Sequence, residues 1–208
     1  MHVDATVRLL LERHGRTFAE DAGIRLADKP APLFQLLVLS LLLSARISSD
    51  IAVAAAHELF RTGYRTPRKM QQATWHQRVG ALGRGHYRRY DERTATQLGE
   101  LADVLLDEYA GDLRRLRDRA EDTRGVEAAL QQFTGVGPAG AAIFCREVQG
   151  VWSGLAPYVD PLVAEGAERL GLPRSADRWA ALVAPRDLPR DEGSPARGRA
   201  LTRLRRCA

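Results

Sequence analysis

From Leu33 to Ser44 the chain is almost without polar positions: Leu36, Leu37, Val38, Leu39, Leu41, Leu42 and Leu43 leave little but Ser40 between them. A helix that is apolar on every side belongs at the centre of a domain. This one is too short, and too soon followed by Arg46, to span a membrane. Elsewhere the apolar residues recur at helical spacing. Met1 to Gly15 reads as a short helix with Val3, Val7, Leu10 and Leu11 on one face. Residues 16–32 are mixed, with two prolines near the end, and read as an extended connector. Ser48, Ser49 or Asp50 caps a helix carrying Ile51, Val53, Ala54, Leu59 and Phe60. Thr66-Pro67 opens another through Met70 and Ala73. Thr74 to Val79 begins a short one that ends near Gly80. Ala95 to Tyr109 is amphipathic through Leu98, Leu101, Ala102, Leu105 and Leu106, with Gly111 as its stop. The stretch 112–124 is heavily charged. Helices are expected again over 161–170 and 175–182, and the tail from Arg186 is rich in Pro, Gly and Arg. No strand pattern and no repeat emerges, so the class is all-α.

Between two further helical patterns lies Thr134-Gly135-Val136-Gly137-Pro138-Ala139. Val126, Leu130 and Phe133 precede it, and Ala141, Phe144, Cys145 and Val148 follow. Two glycines around one apolar residue make a tight turn, because glycine tolerates positive φ and close approach. Pro138 suits the first position of the second helix. Free amides at that helix start form a ready anion site, and a phosphodiester fits it. An ordinary corner between two helices shares the pattern, so the pattern alone leaves both readings open.

Composition sharpens this only partly. The 208 residues are 45% hydrophobic and 27% charged, with a net charge of +5. A basic chain favours a polyanionic partner, nucleic acid first. An arginine-rich composition has the same effect with no partner at all, and Lys29 and Lys69 are the only lysines. Cys145 and Cys207 give neither a disulfide framework nor a metal spacing. With no secretory pattern at the N-terminus, a reducing cytoplasm is the expected compartment.

Followed by Val159-Asp160-Pro161, the hairpin resembles that of the helix-hairpin-helix DNA glycosylase superfamily. That group includes endonuclease III, the adenine glycosylases and the alkylpurine glycosylases. The similarity spans about 33–172 in three parts: Leu41 to Asp50 with its Ser44-Ala45-Arg46 step, the hairpin, and the segment around Asp160. It implies two helical lobes with the hairpin at the rim of the cleft between them. One is a six-helix-barrel-like lobe over 32–133. The other is discontinuous, over 1–31 and 134–208, and holds the hairpin and Asp160.

The resemblance implies roles as well. Chemistry on a stacked base requires flipping it out. Gly135, Val136, Gly137 and Ala139 would hold the DNA backbone. Arg46, His86 and Tyr87 would enter the duplex. Trp152, Tyr158 and Ser40 would line the base pocket. Asp160 would be catalytic, stabilising positive charge on the sugar or orienting water. It is also an ideal helix cap before Pro161, and the two roles are compatible. On the cap alone, Asp160→Asn is predicted to change stability by no more than about 1 kcal/mol.

Two departures from the family limit the chemistry. Members with lyase activity carry a lysine where this chain has Ala139, and a Schiff base needs an amine. The four-cysteine iron–sulfur loop of many members is absent, since only Cys207 lies in that region. Neither cofactor nor metal is expected. Ser40 stands where the adenine-specific members place an acidic glutamate. The reading is a monomeric, monofunctional glycosylase acting on damaged bases in double-stranded DNA, with a tilt to alkylated bases and no membrane partner. The alternative is a non-catalytic module that binds damaged or bent duplex.

Overall fold

The computed structural model describes residues 16–169 and the single positions 171 and 178. The helix expected over 1–15, that over 175–182 apart from position 178, and the tail lie outside the described residues. Among the described residues there are ten α-helices, one 3-10 turn and no strand. The helices are α1 (Phe18–Asp21), α2 (Pro30–Ser44), α3 (Ser49–Arg61), α4 (Pro67–Gln72), α5 (Trp75–Arg84), α6 (Asp91–Tyr109), α7 (Leu113–Arg119), α8 (Thr123–Leu130), α9 (Pro138–Val148) and α10 (Pro161–Arg169). No described helix is long and apolar enough to cross a membrane. The chain divides into two compact units, Phe18–Phe144 and a second drawn from Met1–Thr17 and Cys145–Ala208. The division falls within α9.

The larger unit is arranged around α2. Leu33, Phe34, Leu36 to Leu39 and Leu42 are wholly buried. Each such side chain contributes roughly 1.5–3 kcal/mol on leaving water. The helix starts earlier than its apolar run, at Pro30, because prolines are tolerated in a first turn. The supposed connector before it also contains the single turn α1. Caps set the next three starts. Ser48 Oγ accepts from the Ile51 amide at 3.3 Å. Thr66 Oγ1 accepts from Lys69 at 3.3 Å. Thr74 and Gln77 form a reciprocal capping box.

Helix α5 does not end near Gly80; it runs on to Arg84. A glycine within a helix costs only about 1 kcal/mol, and the buried Ala81 and Leu82 offset that. The stop comes at Gly85, where a Cβ would lie 2.4 Å from Ala55 Cα on α3. The alanine face of α3 (Ala52, Ala55, Ala56, all fully buried) admits this close approach. Beyond α6 the chain turns through two left-handed residues, Ala110 and Gly111.

Arg78 on α5 locks three helices together. It is buried, and burial lowers its pKa from the ordinary arginine value. Its guanidinium donates to the Ala73 and Met70 carbonyls at 2.7 and 3.0 Å, at the end of α4. It also donates to the Ala95 carbonyl of α6 at 2.7 Å. Carbonyls at a helix end lack partners and carry partial negative charge, so they suit a cation. Gly99 leaves the space: a Cβ there would sit 2.7 Å from the guanidinium. Arg78→Met strands those carbonyls and is expected to cost about 3 kcal/mol or more. Urea unfolding followed by circular dichroism checks this. A loss below about 1 kcal/mol, the range of an ordinary surface change, would contradict it.

Candidate active site and nucleic-acid interface

The hairpin turn joins α8 to α9 within the larger unit. Val136 is buried and pins the turn, with its amide bonded to the Phe133 carbonyl at 3.0 Å. That amide is therefore spent, and Pro138 has none, so the expected clamp narrows to its neighbours. The amides of Gly135, Gly137 and Ala139 have no backbone acceptor among the described residues. The two glycines exist for different reasons. Gly135 has φ +86°, and a Cβ there would meet the Gln97 side-chain amide at 2.8 Å. Gly137 has no left-handed φ, nothing within 4 Å of a would-be Cβ, and lies exposed. Folding of the turn does not require glycine at 137. Ala139 is exposed as well.

A cavity of about 270 Å³ opens beside the turn, lined by Leu41, Ser44, Ala45, Arg46, Tyr87, Tyr90, Arg93, Thr94, Gln97 and Gly135. It brings together Arg46, Tyr87 and Gly135, three residues singled out from the sequence. Arg46 is exposed just after α2. His86 is exposed at φ 62°, at the tip of the loop after α5. Tyr87 is fully buried, so in this arrangement it is a wall and not a protruding wedge. Ser40 is also fully buried and donates to the Leu36 carbonyl of its own helix at 2.9 Å.

Asp160 lies in the other unit, 5% exposed. Its Oδ1 accepts from the Val163 amide at 2.9 Å, which caps α10. Its Oδ2 accepts from Arg146 Nη1 at 2.7 Å. Arg146, near the end of α9, is 3% exposed, and its Nη2 has no partner among the described residues. Two residues before Asp160, the Tyr158 backbone is fixed by Gln149. Gln149 Oε1 accepts from the Tyr158 amide at 2.9 Å, and Gln149 Nε2 donates to the Tyr158 carbonyl at 3.4 Å. Trp152 and Tyr158 are both buried in the segment leading to the carboxylate.

Arg146 and Gln149 were not singled out from the sequence. Both read there as polar residues on a helix, and only their burial reveals their work. Arg93 and Gln97 were likewise passed over on α6. Among the described residues no group of His, Cys, Asp or Glu is arranged to hold a metal ion.

No protein-family model matches the chain, and no curated protein matches it in sequence. Solved structures do match. A non-covalent endonuclease III–DNA complex is 19% identical, with a TM-score of 0.51, over 92% of this chain and 83% of its own. A trapped endonuclease III–DNA covalent intermediate, an estranged-adenine complex, is 20% identical over 92% and 84%, with a TM-score of 0.48. The chain, all-helical among its described residues, thus has the fold of endonuclease III.

Proposed function

We propose that the protein is a DNA-binding glycosylase that hydrolyses the N-glycosidic bond of a damaged base without lyase activity. The observation that carries the DNA part is Gly137. Glycine lowers stability where the fold does not need it. An exposed glycine with ordinary φ and open space around it suits the approach of a ligand to backbone amides. A solved complex of the same fold contains DNA.

For the chemistry, a carboxylate has about four acceptor sites, and Asp160 uses two on Val163 and Arg146. A free acceptor on Asp160 and the free Nη2 of Arg146 form a pair that can orient one water. Water donates to the carboxylate and accepts from the guanidinium. Its oxygen bonds to the sugar carbon as the carbon–nitrogen bond breaks, and Asp160 takes the proton. The base leaves with the bonding electrons. Arg146 weakens the field that Asp160 projects on a cationic sugar, and Ser40 has its proton committed to Leu36. An alkylated, cationic purine departs as a neutral base and needs neither a strong field nor an acid. It is the substrate class this site suits best. With Ala139 in place of an amine, the sugar–phosphate backbone stays intact after excision.

The ion pair also supports a second reading. Arg146 neutralises Asp160, and a carboxylate committed to a partner and a cap suits a module that binds duplex without excising anything.

Three variants have distinct expected outcomes. Gly137→Ala should unfold within about 1 kcal/mol of wild type, while duplex affinity measured by fluorescence anisotropy falls severalfold. Unchanged affinity would remove the hairpin from the interface. Asp160→Asn keeps the cap but strands a buried guanidinium, so it should destabilise by about 3 kcal/mol, not the 1 kcal/mol predicted from the cap alone. The double variant Arg146→Met/Asp160→Asn should recover part of that loss. Duplex affinity should hold in Asp160→Asn at a temperature where it stays folded. Alkali-revealed excision should fall by about two orders of magnitude or more. Excision at the wild-type rate would remove Asp160 from the chemistry.

A further inference from the structure

Gln149 lies in the turn after α9 and is only 2% exposed. A buried amide is costly unless its donors and its acceptor find partners. In Gln149 each does. Nε2 donates to the Arg146 carbonyl at 3.0 Å and to the Tyr158 carbonyl at 3.4 Å. Oε1 accepts from the Tyr158 amide at 2.9 Å. The reverse orientation would set the side-chain oxygen against two carbonyls, so the partners fix the assignment. Residues 156–160 lie outside every helix, and backbone of that kind must find partners elsewhere. Gln149 offers Tyr158 a donor and an acceptor side by side. Its third bond takes one of the carbonyls left open at the end of α9, and that carbonyl belongs to Arg146. Arg146 and Asp160 are the partners of the buried ion pair, 2.7 Å apart. One side chain thus ties the backbone of Arg146 to the backbone two residues before Asp160, and the ion pair closes the ring.

We propose that Gln149 is a positioning residue for excision: it sets the separation at which the Arg146 guanidinium and the Asp160 carboxylate hold a water. As a role in excision this rests on the proposed hydrolysis; the clamp itself does not. Neither partner fixes that separation alone. The cap on Val163 orients one Asp160 oxygen within α10, and arginine is a long side chain with several rotatable bonds. Gln149 supplies the direct tie between the end of α9 and the segment that carries the carboxylate. All four residues belong to the unit that includes Cys145–Ala208, so the clamp involves no contact between units. Misplacing a reacting group by about 1 Å can cost about a hundredfold in rate. Glutamate cannot take over this work while ionised. Its carboxylate would accept from the Tyr158 amide but would face two carbonyls with no hydrogen to offer. Once protonated, it donates to one of them again.

Gln149→Met keeps the length of the side chain and removes all three bonds. Gln149→Glu removes both donors until it takes up a proton, and burial against two carbonyls raises the pKa of such a carboxyl. Each variant is compared with wild type at the same pH, which cancels any titration of Arg146 and Glu147 on α9 and of Asp160 before α10. The temperature is one at which circular dichroism shows full folding. Single-turnover excision from a methylated duplex should fall about tenfold or more in Gln149→Met at every pH, while duplex affinity by anisotropy holds. In Gln149→Glu a similar loss should appear at about pH 8 and shrink about threefold or more at about pH 5.5. In spectra of protein with nitrogen-15 arginine, the Arg146 Nη signals are identified by their absence from Arg146→Met. They should be distinct in wild type and averaged in Gln149→Met. The proposal is overturned if Gln149→Met excises at the wild-type rate or leaves the Arg146 signals unchanged. It is also overturned if excision and duplex affinity fall together, or if the two variants recover equally at low pH. If Gln149→Met does not fold, the pH recovery of Gln149→Glu decides the matter. If wild type excises nothing, the glycosylase reading fails and the arginine signals decide the clamp: averaging in Gln149→Met supports it, and unchanged signals refute it.

Discussion

A fifteen-residue helix with no polar face is the constraint on which the larger unit depends. Every side of α2 must be covered, so α3 and α7 pack against it. A Cβ at Gly140, at the start of α9, would lie 3.6 Å from the Ser40 carbonyl oxygen and from Ser44 Cβ. Small residues at that crossing let the hairpin helix sit against the end of α2. The same end carries Arg46. The burial that stabilises the unit therefore also sets an exposed arginine and a two-glycine turn around one cavity. A bulky side chain at Gly140 would separate these features before it changed either one.

Around Asp160 the balance is electrostatic. A carboxylate and a guanidinium taken from water together lose several kcal/mol of solvation each, and a 2.7 Å contact returns much of it. The pair is a weak source of stability but a firm constraint on direction. Asp160 is held by its cap, by Arg146 and, through Tyr158, by Gln149. An immobile acceptor beside an unpartnered donor is suited to ordering a water. The same neutralisation reduces what the site can do for a difficult leaving group. Orientation and charge pull in opposite directions here, and the account rests on orientation outweighing charge for an easily departing base.

How much of this the sequence disclosed follows from the range of each interaction. Helix starts were legible where capping is local, as at Thr66, Thr74 and Asp160. The left-handed stop at Gly111 and the turn at Gly135 were legible because few residues other than glycine adopt that backbone. The end of α5 was misplaced: Gly80 resembles a stop, and the residue that forces the stop, Gly85, does so against Ala55, thirty positions away. Arg78 and Arg146 gave no local sign of burial, since each is explained by partners brought in by the fold. Tyr87, expected from the resemblance to enter the duplex, carries no local sign in the sequence of its full burial. The glycine spacing and Asp160 identified the fold; the environment of Asp160 was not visible without it.

The central claim is that the Asp160–Arg146 pair supports hydrolysis and not merely binding. The most direct measurement is a single-turnover reaction of wild-type protein with a methylated duplex, in which released bases and strand integrity are followed together. The account predicts free methylated purine in proportion to enzyme, with strands that break only after alkali. Tight duplex binding with no released base would contradict it, as would strand breaks that form without alkali.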